Sequence, residues 1–468
     1  MNDKQKEILY KILAICHYNG ERRQITHALL RGFLTSMSES FNIDNELKKQ
    51  QEKPNVKRTE EEIKSFNWLF EEFDYMITAG LSPEAILDYI VLRYSTYDQT
   101  LQKKHGLTVG KFSYIAYHLL LSFGKHSGLN APLEIYEYES KKQYADLKFV
   151  AKPTEDYIRR CQRLNSISIT ELLKDEKLIN KADVEIFLSL YSFEPQEYNS
   201  KKDIRFKEYP LIRDNETIIL IDQSYFIKYL PHKIDLLLKQ SKSYDSSKGK
   251  VFENMALDLI EKFPFTNVHR NIVYDEFEVD GILNMRKSTW FVECKSRNIN
   301  PESLKGNGKK ITKDIEKALI TSLKQGERAV QNKEHKAFKK FNIHRRVGII
   351  IIVEGIFPNI RMPEILFKNP IDNSSYPVCV FNYFELNAIL NQPDNHVLEE
   401  FLIWRSQKGM PIYCHDECDY WAFFNDNYRK HKEIKKAWQS MKDRKITTNY
   451  ISARFNKKDY MRKMVKNE

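Results

Sequence analysis

The sequence predicts a multidomain protein of mixed α+β and α/β class, with a helical amino-terminal region, an α-β-β-β-α-β core and a basic, helical carboxy-terminal tail. Apolar residues recur at helical spacing in the first part of the chain, and three strand-like runs follow one another between residues 266 and 295. A chain of 468 residues also exceeds what one hydrophobic core usually supports. The expected divisions are a helical domain at 1–130, a mixed α/β connecting region at 131–240, the core domain at 241–410 and the tail at 411–468.

Composition is typical of a globular protein of the cell interior. Hydrophobic residues make up 41% of the chain, which is enough to form several cores. The apolar run at 347–353 is too short to span a bilayer, and the first residues mix charges without a continuous apolar stretch. Neither a transmembrane segment nor a secretory signal is therefore expected. Six scattered cysteines do not make a disulfide framework, which favours a cytoplasmic location.

Excess positive charge is concentrated at the carboxy terminus. The net charge is +11, and residues 429–468 alone contain 14 Lys or Arg against 4 Asp or Glu. These cations are interleaved with Tyr, Trp and Phe, a mixture that suits phosphate contacts together with stacking. We expect Lys435, Lys436, Arg444 and Lys445 to bind nucleic acid. The alternative is a pair of amphipathic helices with a solvated basic face.

Local signals mark several elements before the core. Ser82 suits a helix N-cap and Pro83 the first helical turn, so a helix should begin there. Two apolar runs flank Asp214 and Asn215, which predicts a hairpin with these residues in its turn. Residues 239–250 are polar and are predicted to form a hinge before the core domain.

The core should contain a helix, three strands, a second helix and a further strand in that order. These elements are predicted at 248–263, 266–274, 276–285, 288–295, 309–341 and 345–355. Glu253 lies near the start of the first helix. The last strand is apolar throughout, as expected of a strand that is buried on both faces.

Residues able to carry chemistry lie on the second and third core strands. Asp280 precedes Gly281 in the second, and Glu293 and Lys295 lie two apart in the third. Because strand side chains alternate in direction, Glu293 and Lys295 should project side by side while Cys294 faces the other way. Cys294 is therefore expected to be a small buried residue and not a nucleophile. The alternative is a solvated ion pair on an edge strand, with Asp280 opening a turn.

This order of elements and these charged residues resemble the PD-(D/E)XK superfamily of restriction-endonuclease-like nucleases. The resemblance covers roughly residues 248–355 and rests on Glu253, on Asp280 and on the "ECK" triplet at 293–295. Val279 stands where the motif has its proline. The resemblance implies a restriction-endonuclease-like core and hydrolysis of phosphodiester bonds that depends on Mg²⁺, which Mn²⁺ could replace.

The resemblance also implies a role for each motif residue. Asp280, Glu293 and the backbone carbonyl of Cys294 would hold the metal, since Mg²⁺ keeps several waters and takes only one or two carboxylates. Glu253 would reach the site from its helix, either as a ligand for a second metal or through a metal-bound water. Lys295 would orient or help deprotonate the attacking water and offset phosphate charge.

Further residues extend the expected site. Gln325 falls where many of these nucleases carry a polar residue that faces the site, and it should contact a ligand water or the scissile phosphate; a plain exposed glutamine is the alternative. Lys305, Lys309 and Lys310 lie in a basic loop that either touches the DNA backbone or only connects two elements. Glu278 shares the face of Asp280 but is expected to be a solvated carboxylate.

The function implied by the resemblance is that of a DNA endonuclease in restriction or in defence against foreign DNA. A different class of function stays open: a non-catalytic nucleic-acid-binding or scaffolding subunit of a defence, repair or transposition complex. An RNase or a transposase-like cleavage subunit is a further enzymatic alternative. The chain has no Walker motif, so a partner ATPase would have to supply any energy-driven step. The chain is also expected either to form a homodimer or to bind a sensor subunit.

Overall fold

Two mixed β-sheets and the helices around them make this a protein of mixed α+β class. The computed structural model describes residues 83–126, 166–174, 176–194, 209–220, 223–239, 241–263, 266–296, 316–354, 374–407, 417–432 and 435. The described residues up to Asp245 belong to one compact unit, and those from Ser246 onward belong to a second. The helices predicted before Ser82 lie outside the described residues, and the domain boundaries drawn from the sequence stay predictions.

Helices provide most of the first unit. They are α1 Pro83–Tyr94, α2 Asp98–His105, α3 Val109–His126, α4 Ile169–Leu172, α5 Lys181–Tyr191 and α6 Gln223–Leu238. The predicted start at Pro83 is confirmed, because the fixed φ of proline suits the first helical position. A capping box between Asn180 and Asp183 begins α5, and Gly106, with φ of 84°, ends α2.

A four-stranded sheet completes the first unit. Its strands are β1 Ser166–Ser168, β2 Ser192–Phe193, β3 Leu211–Asp214 and β4 Thr217–Leu220, in the order β1-β4-β3-β2. The predicted hairpin is confirmed as the antiparallel pair β3–β4. Its turn lies one residue later than predicted, because Asp214 still pairs with Thr217 and Asn215 takes the positive φ of 55°.

The predicted hinge at 239–250 is wrong, because most of it is helical. Helix α7 spans Lys242–Glu261, six residues longer at its start than the sequence predicts, and the boundary between the two units falls inside it. Tyr244 explains the difference. Its buried ring packs edge-on against Tyr97, 4.9 Å between centroids, and its hydroxyl donates to Asp235. These tertiary contacts stabilise a first turn whose polar sequence does not favour helix on its own.

The second unit contains a five-stranded sheet in the order β5-β6-β7-β8-β9. Its strands are β5 Asn267–Tyr274, β6 Phe277–Asn284, β7 Thr289–Lys295, β8 Val347–Val353 and β9 Val378–Asn382. β5, β6 and β7 pair antiparallel, whereas β7, β8 and β9 pair parallel. All three predicted core strands are thus present, and the fourth, β8, is buried along nearly its whole length.

The second core helix is shorter than predicted. A π-helical turn at Glu316–Ile320 leads into α8, Thr321–Gln331, whereas the pattern predicted helix as far as residue 341. The chain leaves the helix at Asn332, whose side chain donates to the carbonyl of Arg328. The segment that follows instead buries Phe338 against Phe291 and the rest of the core. Core packing therefore overrides the helical periodicity of this segment.

The described residues after β9 pack as helices. They are α9 Tyr383–Leu390, α10 Leu398–Arg405, α11 Glu417–Phe423 and a π-helical turn at Phe424–Tyr428. Trp404 lies within ring-contact distance of Phe401, Phe424 and Tyr428. The described start of the predicted tail, from Glu417 to Tyr428, is therefore helical and packed. None of the helices in the described ranges is both long and apolar enough to cross a membrane.

The central parallel pair depends on a glycine. Gly348 lies opposite Trp290, and an added Cβ would overlap the buried indole ring. Gly348→Ala should lower the free energy of unfolding by roughly 1–3 kcal/mol through overpacking. Gly249→Ala is the matched control: nothing lies within 4 Å of its added Cβ on an exposed face of α7. Alanine should leave stability equal or raise it by up to about 1 kcal/mol there. Urea unfolding of both variants measures the difference, and equal losses would contradict this packing.

Candidate metal-binding and catalytic site

The candidate site lies where strands β6 and β7 separate. Their pairing runs from Asn284 opposite Thr289 to Gly281 opposite Val292 and stops there. The next pair in this register would be Asp280 and Glu293, while β7 stays paired with β8 as far as Lys295. The amide of Cys294 donates to Oδ2 of Asp280 at 2.7 Å. The side chain of Asp280 thus gives the Cys294 amide the acceptor that continued pairing with the β6 backbone would have supplied. Its carboxylate is thereby fixed beside β7.

Glu293 is a buried acid without a hydrogen bond. It is only 1% exposed, and neither carboxylate oxygen has a hydrogen-bond partner within the described structure. Nζ of Lys295 lies 3.7 Å from Oε2, too far for a hydrogen bond. Burial raises the pKa of Glu293 well above its usual range, the neighbouring charge of Asp280 raises it further, and Lys295 opposes both. The site therefore favours an added positive charge at Glu293.

Two further carboxyl groups near Glu293 also have raised pKa values. Burial is the main cause that raises the pKa of Asp280, while the Cys294 amide and Lys295 act against it. Burial also raises the pKa of Glu253, and the charge of Asp280 contributes to the rise. The charge of Asp280 raises the pKa of both glutamates, and that of Glu253 raises the pKa of Glu293, so the three acids lie near one another. Three nearby acids with raised pKa values are typical of functional sites.

Sequence reasoning missed Lys250, which pairs with one of these acids. Its Nζ lies 2.5 Å from Oε1 of Glu253, 2.5 Å from Oδ1 of Asn271 and 3.8 Å from Oε1 of Glu278. The spacing of Lys250 and Glu253 on one helix face was the available signal. Asn271 lies on a strand, and the alternation of strand side chains does not predict its position. Its φ of 52° departs from the extended backbone on which that alternation depends. Glu278 is 49% exposed, as expected of a solvated carboxylate.

The other predicted residues of the core occupy different environments. The side chain of Lys295 is 26% exposed, so its ammonium group can reach solvent beside Glu293. Cys294 is buried, and burial raises the pKa of its thiol well above the usual range, which suits a structural residue. Gln325 lies on α8, which packs against β7. Its Oε1 is buried and has no hydrogen-bond partner within the described ranges.

Most of the predicted nucleic-acid contacts cannot be placed. Lys305, Lys309, Lys310, Lys436, Arg444 and Lys445 lie outside the described residues. Lys435 is described and exposed, with its Nζ 5.5 Å from the centre of the Tyr428 ring. Tyr428 in turn packs against Trp404.

The donor set fits a hard divalent cation. Among the described residues, no group of three or more His, Cys, Asp or Glu is arranged as a metal site. Mg²⁺ requires less, since one or two carboxylates, waters and substrate oxygens complete its shell. Asp280 and Glu293 supply two carboxylates, and the unpaired oxygens of Glu293 are acceptors that a cation would satisfy. Glu253 is already engaged by Lys250.

No protein-family model, curated protein or solved structure matches this chain. The function of the site therefore has to be inferred from its side chains and from the motif they form.

The burial of Glu293 predicts a variant that is more stable than the native protein. A carboxyl group with a raised pKa keeps its proton in the folded state at pH values where the unfolded chain has released it. Stability then falls as pH rises above the ordinary glutamate pKa. Glu293→Gln removes the charge at nearly constant shape. In metal-free buffer at pH 7.5 it should raise the Tm by about 2–4 °C, the shift that ~1 kcal/mol produces in a domain of 150–250 residues. The gain should vanish near pH 4.

The same variant should lose its response to metal. Mg²⁺ binding to the native site should raise the Tm of the wild type, and the rise should be larger at pH 8 than at pH 5, because protons compete with the cation. Glu293→Gln should show no such rise, whereas Glu276→Gln, an exposed control acid, should behave as wild type. A Glu293→Gln variant with a lowered Tm and an intact Mg²⁺ response would show that other groups of the protein neutralise the charge of this carboxylate.

Proposed function

We propose that this chain is a Mg²⁺-dependent nuclease that hydrolyses phosphodiester bonds, and that it acts as a DNA endonuclease in defence against foreign DNA. The observation that supports this most is the meeting of Asp280, Glu293 and Lys295 where two neighbouring strands separate. The order α7-β5-β6-β7-α8-β8 around these residues agrees with a restriction-endonuclease-like core. Mn²⁺ would be able to replace Mg²⁺.

Phosphodiester hydrolysis has two requirements that these side chains meet. Negative charge builds on the phosphoryl oxygens, and a water must be delivered in line with the leaving oxygen. A bound Mg²⁺ would supply Lewis acidity and a water of lowered pKa. Asp280 and Glu293 would hold the ion, and the bond from the Cys294 amide fixes the first of them without a flexible partner. Fixed ligands avoid reorganisation during the reaction.

Lys295 is suited to act on water and phosphate. Its ammonium group shares the face of Glu293 and is partly exposed, so it can donate hydrogen bonds both to the attacking water and to a phosphate oxygen. A point charge on a flexible stem suits this double role. Gln325 would support it through its unpaired amide oxygen, which can accept a hydrogen bond from a water at the site.

Glu253 and Lys250 would form the helical side of the site. Lys250 holds the Glu253 carboxylate through a 2.5 Å contact, so Glu253 would contribute through a water more readily than as a direct ligand. The basic residues of 436–468 would add phosphate contacts outside the site. A homodimer, or a partner ATPase or sensor, would complete the assembly.

A non-catalytic nucleic-acid-binding subunit is the second candidate. The observations in its favour are the absence of a three-ligand metal group among the described residues and the Lys250 ammonium that already neutralises Glu253. Cleavage assays decide between the two functions. The substrates should be supercoiled, linear and single-stranded DNA and RNA, each with Mg²⁺, with Mn²⁺ and with EDTA.

Lys295→Ala should abolish cleavage and leave folding and nucleic-acid binding near wild type. We expect a fall in rate of at least about 100-fold, the lower range for loss of a positioned proton donor or acceptor. Lys287→Ala, at the opposite end of the β6–β7 hairpin, is the matched control and should retain full activity. Single-turnover rates on the cleaved substrate measure both, with Tm as a check on folding. Undiminished cleavage by Lys295→Ala would refute the assigned role.

Ca²⁺ should separate binding from cleavage. Its larger radius and looser coordination place oxygens at 2.3–2.6 Å, so it should support DNA binding while misplacing the attacking water. Asp280→Ala should remove Mg²⁺-dependent turnover and also the effect of Ca²⁺ on affinity, because it deletes a ligand and leaves the Cys294 amide unpaired. Fluorescence anisotropy in Ca²⁺ and gel assays in Mg²⁺ measure the two steps. Full turnover in EDTA would exclude the metal-dependent mechanism.

A further inference from the structure

A groove of about 500 Å³ runs along strand β5. β5 is at the edge of the five-stranded sheet, where it pairs only with β6 among the described strands. The groove lies between this strand and the segment that follows α8. Its lining residues are Val268, His269, Arg270, Asn271, Ile272, Val273, Lys336, Ala337, Lys340 and Phe341.

The charge of the groove is positive. No Asp or Glu belongs to its lining, while Lys336 and Lys340 do and are both exposed. Neither lysine is joined to a carboxylate by an ion pair within the described ranges. Arg270 differs, because Asp258 and Glu261 hold its guanidinium at 2.7 Å and 2.6 Å. The two lysines are therefore the charges that an anionic ligand would neutralise.

A pair of tilted aromatic rings lies beside these lysines. The rings of His269 and Phe341 are 4.3 Å apart between centroids and inclined by 34°. Nζ of Lys340 is 4.9 Å from the centre of the Phe341 ring. Phe341 is buried in the core, so the partly exposed ring of His269 is the one that a base could stack on while the nucleic-acid backbone follows the charge of the lysines.

The groove is continuous with the candidate site through one residue. Asn271 lines the groove, and its Oδ1 accepts a hydrogen bond from Lys250, which also holds Glu253. A strand of nucleic acid that lies in the groove would therefore run toward the carboxylates. The link from Asn271 through Lys250 to Glu253 would have no role for a ligand that binds only within the groove.

We infer that the β5 groove binds the phosphodiester backbone of the nucleic-acid strand that flanks the scissile bond, with Lys336 and Lys340 on successive phosphates. This inference rests on the proposed function and adds a substrate-binding surface to it. Nucleic acid is favoured over an added peptide strand because the groove offers unneutralised cations. Val273, which is 63% exposed, is the feature that would favour a second copy of the chain as the partner that binds in the groove.

The test compares two pairs of lysines on the same segment. The variant is Lys336→Ala/Lys340→Ala, and the control is Lys333→Ala/Lys339→Ala, which removes the same charge outside the groove lining. Binding of a labelled duplex and of a single strand of the same length is measured by anisotropy in Ca²⁺ at several salt concentrations. The groove variant should lose about tenfold in affinity, and its salt slope should fall by roughly 0.7–0.9 for each lost phosphate contact. The control should keep both values.

Each outcome separates this inference from the proposed function. Cleavage by the wild type together with unchanged affinity and slope in the groove variant would overturn the groove and leave the nuclease. A wild type that cuts nothing in Mg²⁺ or Mn²⁺, while the groove variant loses binding, would support the groove and overturn the nuclease. No binding by the wild type overturns both. A dimer that Val273→Asp converts to monomer, with nucleic-acid affinity unchanged in all variants, would show that the groove joins two copies.

Discussion

The buried carboxyl group of Glu293, which accepts no hydrogen bond within the described structure, is the constraint on which the rest of the site depends. A charged group removed from water without a hydrogen bond opposes folding, and this one has a second acid, Asp280, beside it. The fold tolerates the cost because the surrounding strands are almost wholly apolar. Phe291, Ile349 and Ile351 are all fully buried in the same core cluster. Such a carboxylate is unfavourable for stability alone, and in the proposed function a bound cation would offset that cost.

The separation of β6 from β7 makes the position of that carboxylate possible. Continued pairing would place the two acids opposite each other on adjacent strands, where like charges are destabilising. The side chain of Asp280 instead accepts the amide of Cys294, so the backbone donor stays satisfied while the strands part. One hydrogen bond therefore satisfies the backbone where the strands part and fixes the orientation of the acid beside Glu293. The parallel pairing of β7 with β8 continues past this point and holds Lys295 in line.

Strong local patterns made much of this structure predictable. The strands follow from runs of β-branched and aromatic residues, and the grouping of Asp280, Glu293 and Lys295 follows from the alternation of strand side chains. The errors have a common physical cause, which is packing against residues distant in sequence. Tyr244 extends α7 through its contact with Tyr97, and Phe338 ends the helical periodicity after α8 by entering the core. The β5 groove was missed for the same reason, since it is formed by elements that only folding brings together. Lys250 had a local signal in its spacing from Glu253, but its contact with Asn271 depends on the fold.

Glu253 and Glu293 show how one site can treat two acids differently. Both have raised pKa values through burial, but Lys250 contacts Glu253 at 2.5 Å, whereas the ammonium of Lys295 stays 3.7 Å from Glu293. The first acid therefore has an ammonium group in direct contact, whereas the ion pair of the second is longer than a hydrogen bond. A divalent cation gains most free energy where no ammonium group must be displaced. In the proposed function a cation would bind at Glu293 and Asp280, and Glu253 would orient water or substrate beside them.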